Sequence, residues 1–202
     1  MSATIPSSVV VFQALSQTQA PSAAVLEELK QQSGFQRAFF GVKMEEPETG
    51  ILCTEWSSVA KAARGLYCSS SLGAHETLAF AVPQAWSSVL SGPCTEVFTA
   101  FGAEDGFVEN VRRFVGAVDD NPPEGYRGAA VGEGVGLTDG DGNGNGNRGG
   151  ENEKLVRMVI GWTSREAHLE AKGQPGAIQD NIHELRVLRK AIDLFHVKFK
   201  AL

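Results

Sequence analysis

Two apolar stretches of this chain carry polar side chains at positions where a core strand would ordinarily carry none. In Leu155 to Trp162, alternation puts Arg157 on one face with Leu155 and Val159, and Met158, Ile160 and Trp162 on the other. In Asp193 to Phe199, His196 shares a face with Leu194 and Lys198, opposite Phe195, Val197 and Phe199. If the polar faces line a cavity, Arg157 supplies a cation and His196 a base that titrates near neutrality, both beside an apolar ligand. The alternative is that both sit at sheet edges in water. Trp56, Trp162, Phe39 and Phe195 are the aromatic candidates for contact with such a ligand, the tryptophans serving equally well as core.

Other kinds of chemistry find little support in the residue spacing. The four histidines, His75, His168, His183 and His196, form no HExxH motif and have no cysteine partners at zinc spacing, so no metal site is expected. Cys53, Cys68 and Cys94 are odd in number and irregularly spaced, as reduced thiols are. Asp139, Asp141, Asn143 and Gly144 begin like a calcium loop, but position 12 is Gly150 and the acid arrives one residue late at Glu151. Gly132 to Gly136 has the glycines of a dinucleotide loop without a helix to receive the phosphate. No serine lies in a nucleophile elbow. A net charge of -6 argues against nucleic acid and membrane surfaces as partners. With no cationic leader in the N-terminal residues and no apolar run of spanning length, a cytoplasmic protein is expected.

The elements that position these residues follow from periodicity and breakers. Val9 to Ala14 reads as a strand, Val25 to Leu29 as part of an amphipathic helix ending at Gly34, Phe35 to Val42 as a strand, and Ile51 to Trp56 as its return after an acidic turn. A helix follows from Ser57 to about Leu66. Ala74 to Leu90 reads as helix interrupted at Pro83, with a strand over Thr77 to Val82 as the alternative. Thr95 to Phe101 is a strand that either closes the first half or opens the second. A helix with Phe107, Val108, Val111, Phe114, Val115 and Val118 on one face comes next, then a strand from Gly125 to Gly132. The glycine- and asparagine-rich insertion at 134–152 has no side chains with which to build a core. After the Trp162 strand, Thr163 or Ser164 opens a helix. A further helix is expected from about Ala177 to Lys190, and Asp193 to Phe199 is the closing strand.

The order repeats. Gly34-Phe35 to Gly41 lies on Gly125-Tyr126 to Gly132, and Trp56-Ser57-Ser58 lies on Trp162-Thr163-Ser164. With this repeated strand-to-helix switch at a tryptophan, the chain resembles the dimeric α/β-barrel superfamily, in particular its antibiotic-biosynthesis-monooxygenase-like and stress-responsive branches, over about residues 9 to 132 and 153 to 199. The resemblance implies an α+β fold of two ferredoxin-like repeats, 1–103 and 104–202, forming a pseudo-dimer whose sheets close face to face into a barrel. Members of that superfamily include cofactor-free oxygenases, isomerases, cyclases, haem-degrading enzymes and proteins without known catalysis. It implies a cofactor-independent oxygenase or cyclase acting on a small hydrophobic, aromatic or polyketide-like molecule of secondary metabolism, the chain being a monomer by its internal repeat or a homodimer. In that enzyme His196 ionises a phenol or activated carbon acid, and Arg157 stabilises the oxyanion. A non-catalytic barrel that binds a small molecule or assembles with a partner is the other implied class.

Overall fold

The computed structural model describes residues 8–68, 72–82, 86–137 and 153–202, with the backbone alone at 67 and 68. The core of the expected insertion, 138–152, and the side chain of Cys68 therefore lie outside the described residues. The chain runs β1 (Ser8–Leu15), α1 (Ala23–Gln31), β2 (Phe35–Val42), β3 (Gly50–Trp56), α2 (Val59–Cys68) and β4 (Ala74–Val82). A short helix α3 (Ser87–Leu90) leads to β5 (Cys94–Phe101), α4 (Phe107–Asp120), β6 (Tyr126–Gly134), β7 (Leu155–Trp162), α5 (Arg165–Gly173) and α6 (Ala177–Asn181). A 3-10 turn over Ile182–Leu185 then leads to β8 (Ala191–Val197) and β9 (Lys200–Ala201).

All strands belong to one antiparallel sheet in the order β8-β5-β7-β6-β4-β1-β3-β2-β9. Its two ends meet, because β8 runs on into β9, which pairs with β2, while Lys43 bridges Val197 and the Met44 amide donates to the His196 carbonyl at 2.8 Å. The sheet thus curls onto itself. The concave side holds one apolar cluster that includes Phe12, Phe39, Phe80, Trp86, Val97, Val159, Phe195, Val197 and Phe199. The convex side carries the helices, α1 and α2 over the first half and α4 to α6 over the second, each above its own cluster. Strands covered on both faces need no polar alternation, which is why β1, β3 and β7 are buried along their whole lengths.

Both halves order their strands alike, β4-β1-β3-β2 and β8-β5-β7-β6, joined by pairing of β4 with β6. Strand β5 lies between β7 and β8, so it pairs with the strands that follow it in the chain and with none that precede it. The local geometry matches too. Gly34 and Gly125 both take positive φ, 88° and 82°, and each carbonyl accepts the amide after the matching tryptophan, Ser57 or Thr163, at 2.8 Å. A side chain on either glycine would strike the N-terminal turn of the following helix, at Ser57 and Lys61 or at Thr163 and Ala167.

Two expected helices are corrected. Ala74 to Val82 is a strand, since Glu76, Leu78 and Phe80 stand opposite Ala14, Phe12 and Val10 in the ladder with β1, and among the described residues of the remainder Ser87–Leu90 is helical. The helix expected over Ala177 to Lys190 is one turn of α6 and a 3-10 turn, after which Leu188 takes φ 58° and turns the chain toward β8. Either kind of turn brings Ile178, Ile182 and Leu185 to one side, so their spacing did not separate the two. No helix among the described residues is long and apolar enough to cross a membrane.

Candidate active site

The faces of β7 divide as its alternation implies, but they open onto different places. Arg157 points into the barrel, 2% exposed, with its guanidinium 4.4 Å from the Phe12 ring and 4.5 Å from the Phe80 ring. Its Nε donates to Thr99 Oγ1 at 2.9 Å, and Nη1 has no partner. Burial pulls its pKa down to about 10 against the opposing pull of Glu76 and Asp193. Phe39 and Phe195 share the barrel interior with it. His196 lies on the convex face with Trp162, under the helices of the second half, and Trp56 lies under those of the first. The expectation that His196 and Arg157 meet in one cavity is therefore corrected, because β8 and β7, which flank β5, place them on opposite faces of the sheet. Trp56 and Trp162 likewise do not wall the barrel.

On the convex face, the register of β8, β5 and β7 sets His196 opposite Glu96, and Glu96 opposite Ile160 two residues before Trp162. Ser164 caps α5 by accepting the Ala167 amide at 3.1 Å, and the first turn of that helix lays His168 on the Trp162 ring, centroids 5.1 Å apart and 22° from parallel. A continuous chain of polar contacts results. Trp162 Nε1 donates to Glu96 Oε2 at 2.9 Å, His168 Nε2 lies 3.5 Å from that oxygen, and His168 Nδ1 lies 2.7 Å from His196 Nε2. His196 Nδ1 lies 2.7 Å from Glu45 Oε1. Glu45 comes from the turn between β2 and β3, so the first half completes a site in the second; it also accepts the His196 amide at 2.8 Å and Arg165 Nε at 3.1 Å.

The proton positions follow from the outer end inward. Partial burial pushes the Glu45 carboxyl up, but the bonds from the His196 amide and ring and from Arg165 outweigh it and hold the group at about 2. An ionised Glu45 only accepts, so His196 Nδ1 carries a proton. Burial pulls His168 down to about 4, aided by the charges of His196 and Lys172, so its ring is neutral at pH 7 and has one N–H to share between His196 and Glu96. Glu96, fully buried, is pushed up to about 7 by desolvation, with the Trp162 bond and Lys172 opposing. When Glu96 is protonated, its O–H can donate to His168 Nε2, and His168 Nδ1–H then donates to His196 Nε2.

Glu96 and His168 also form part of the wall of a cavity of about 170 Å³ between the sheet and α4, α5 and α6. The rest of the wall is mostly apolar, with Phe98, Phe114, Met158, Ile160, Trp162 and Ile178 contributing. An apolar cavity of roughly 150 Å³ admits benzene, so this one has room for a single aromatic ring. Donor atoms of Glu96, His168 and His196 lie within 4.8 Å of one another, which makes them the residues that could hold a metal ion. His168 and His196, however, face each other nitrogen to nitrogen at 2.7 Å with ring centroids 5.0 Å apart, the arrangement of a hydrogen bond that a shared ion would have to open. Haem, used by some members of the resembled superfamily, does not fit: both nitrogens of His168 are engaged, and the cavity is too small for a tetrapyrrole.

Sequence reasoning found His196 and Trp162 but missed Glu96, His168 and Glu45, which come from three separate elements. A usable signal was nevertheless present. The residues that the ladder and the helix start place at the matching positions of the first half are Val11 for Glu96, Ala79 for His196 and Ala62 for His168, so three apolar positions in one half are titratable in the other.

No family model matches the chain, and no curated protein matches it. Solved structures do. An anthrone oxidase-like protein aligns with a TM-score of 0.64 at 12% identity, over 98% of this chain and 94% of its own. Proteins described as monooxygenases align with a TM-score of 0.55: that of Lactobacillus acidophilus at 10% identity over 96% of this chain and 95% of its own, and that of Fusobacterium nucleatum at 11% over 96% and 93%. Identities this low speak for the fold alone, and with the closed antiparallel sheet and its outer helices they establish that the chain has the dimeric α/β-barrel fold.

Proposed function

We propose that the chain is a cofactor-independent oxygenase or cyclase for a small hydrophobic molecule, with its site in the convex-face cavity of the second half. Its two halves are tandem ferredoxin-like repeats, so that one chain forms the pseudo-dimer. The observation that carries the reading is a buried carboxyl, Glu96, titrating at about 7 on the wall of an apolar cavity and joined through two imidazoles to the partly exposed Glu45. A base poised near the working pH suits removal of a proton from a phenol or a carbon acid. The anthrone oxidase-like neighbour suggests the test reaction. Glu96 takes the hydroxyl proton of a single-ring phenol, the para carbon of the resulting phenolate reduces dioxygen to a bound peroxide, and loss of the proton on that carbon with O–O cleavage gives the quinone and one water. The chain His168, His196 and Glu45 holds the abstracted proton and returns it to the departing oxygen, so that both protons leave in that water. In this scheme His196 acts through His168 and does not touch the substrate, and Arg157 orders the barrel interior.

The experiment is oxygen uptake with 1,3-dihydroxybenzene, a single-ring phenol, under air, with and without a chelator. Uptake by the wild type that survives chelation, and that falls by about 10²- to 10⁴-fold in Glu96→Gln, supports the reading. If the wild type consumes no oxygen above the buffer rate, or Glu96→Gln keeps full activity, the reading fails.

A further inference from the structure

The cavity of the second half is apolar and acid-bearing at its floor but cationic at its rim. Lys172 on α5, and Arg186 and Arg189 after the 3-10 turn, all line it, and Glu96 is the one acidic side chain on its wall. No ion pair among the described residues engages any of these three cations, whereas the nearby Arg113 is held by Glu184 at 2.9 Å. Arg189 Nε donates to the Leu185 carbonyl at 2.6 Å, which anchors the stem and leaves the rest of the fork to face a ligand. In a chain with 24 acidic residues against 18 basic ones, three cations at one opening with no carboxylate to answer them are out of keeping with the whole. The charge of Lys172 reaches the floor, since it favours ionised Glu96 and neutral His168. The segment that carries the two arginines is also unusual in backbone and exposure. Leu188 holds a positive φ of 58°, a strained conformation for a branched side chain, and Val187 and Ile192 expose 51% and 45% of their surface.

We infer that the molecule taken by this cavity is an amphiphilic anion, with one ring in the apolar interior and a carboxylate or similar acidic group at the mouth, against Arg186, Arg189 and Lys172. This rests on the reading of the cavity as the ligand site and names the class of ligand. The size agrees, because a single ring fills the interior and any further part of the molecule has to pass between the cations. The polarity also agrees. An anionic group placed near Glu96 would meet a carboxylate, so the ligand enters ring first, its reacting carbon or phenol toward Glu96 and its acid toward solvent.

The test compares 3-phenylpropionate with 3-phenylpropanol, which share a ring and a linker and differ in the acidic group, by calorimetry at low salt and at 0.5 M salt. The acid should bind at least about tenfold more tightly than the alcohol at low salt, and the preference should shrink at high salt, where exposed charges are screened. In Arg186→Ala/Arg189→Ala the two affinities should converge by weakening of the acid alone, and Lys172→Ala should give a smaller change in the same direction. Equal binding of both probes by the wild type, or an acid preference that survives the double substitution, overturns the inference. Because binding is read without turnover, a preserved acid preference with no oxygen uptake removes only the oxygenase reading. Failure of both probes to bind at millimolar concentration removes the site itself.

Discussion

The convex faces of the two halves start from the same plan and end in opposite uses. Each has a strand ending in a fully buried tryptophan, a serine-capped helix starting three residues later, and a flanking strand pair in the same register. In the first half the matching positions are Val11, Ala62 and Ala79, and α2 lies so close to the sheet that a Cβ on Gly65 would come within 1.9 Å of the Trp56 ring. In the second half the positions are Glu96, His168 and His196, the residue matching Gly65 is Ala171, and a cavity lies between the sheet and the helices. One half spends its convex face on packing. The other leaves it partly unpacked and polar, which costs stability and yields a group that titrates near neutrality.

The largest expected effect removes that difference at its centre. Glu96→Gln should lower turnover by about 10²- to 10⁴-fold while also flattening the pH dependence of stability. The folded state holds Glu96 at about 7 against an ordinary 4.5, so it favours the protonated acid. The associated stability is fully present below pH 4.5 and is lost as pH rises through 7. Wild type and variant should therefore be nearest in melting temperature at pH 4.5 and diverge toward pH 7, the variant being more stable there by up to about 3 kcal/mol. Parallel stability curves across this range would show that Glu96 is not desolvated as its position implies.

The next effect tests how closed the first half is. Gly65→Ala, in the interior of a helix, would ordinarily stabilise by up to about 1 kcal/mol. Contact with Trp56 should reverse the sign and cost about 1–3 kcal/mol in chemical denaturation, without effect on turnover. A stabilised Gly65→Ala would mean that α2 can lift from the sheet and that the two halves differ less than their packing indicates.

How much of this contrast was legible in the chain depends on which link of the argument is asked. The strand bounds at Phe35 to Val42 and the ends at Trp56 and Trp162 were readable because glycines and serine caps punctuate them. The alternation in β7 also divided its residues correctly between two faces. What alternation could not supply was which face turns inward, because both are covered and both are apolar; Arg157 thus looked as suitable a partner for His196 as any. Ala74 to Val82 misled for the same reason, being a strand in which the outward Ala79 and Ala81 are small and apolar instead of polar. Glu45 was invisible because it belongs to an acidic turn that reads as solvated and becomes a site residue only when the sheet closes and brings β8 beside it.

The tryptophans offer a finer comparison. Trp162 Nε1 donates to Glu96, whereas Trp56 Nε1 donates to Thr54 at 2.9 Å. Phenylalanine at either place removes similar buried volume and should destabilise both variants by a few kcal/mol. Only Trp162→Phe deprives an ionised Glu96 of a donor, so only it should move the acid limb of the pH–rate profile upward. An unshifted profile would show that the indole packs the site without tuning it.

The smallest effect concerns the caps. Ser58 accepts the Lys61 amide at 3.3 Å and Ser164 accepts the Ala167 amide at 3.1 Å, so alanine at either should cost about 1 kcal/mol. The structural consequence should be the same in both halves, since each serine satisfies one orphan donor in the first turn of its helix. The functional consequence should not. His168 sits in the turn that Ser164 caps, stacked on Trp162 and aligned with His196, and a frayed first turn widens the His168 to Glu96 separation, which is already 3.5 Å. Ser164→Ala should lower kcat severalfold with little change in KM, because proton transfer depends on that alignment and the binding of an apolar ring does not. Ser58→Ala should lose the same stability and keep its kcat; if both variants lose rate equally, the alignment of His168 is not what limits turnover and the two helices are playing the same supporting part.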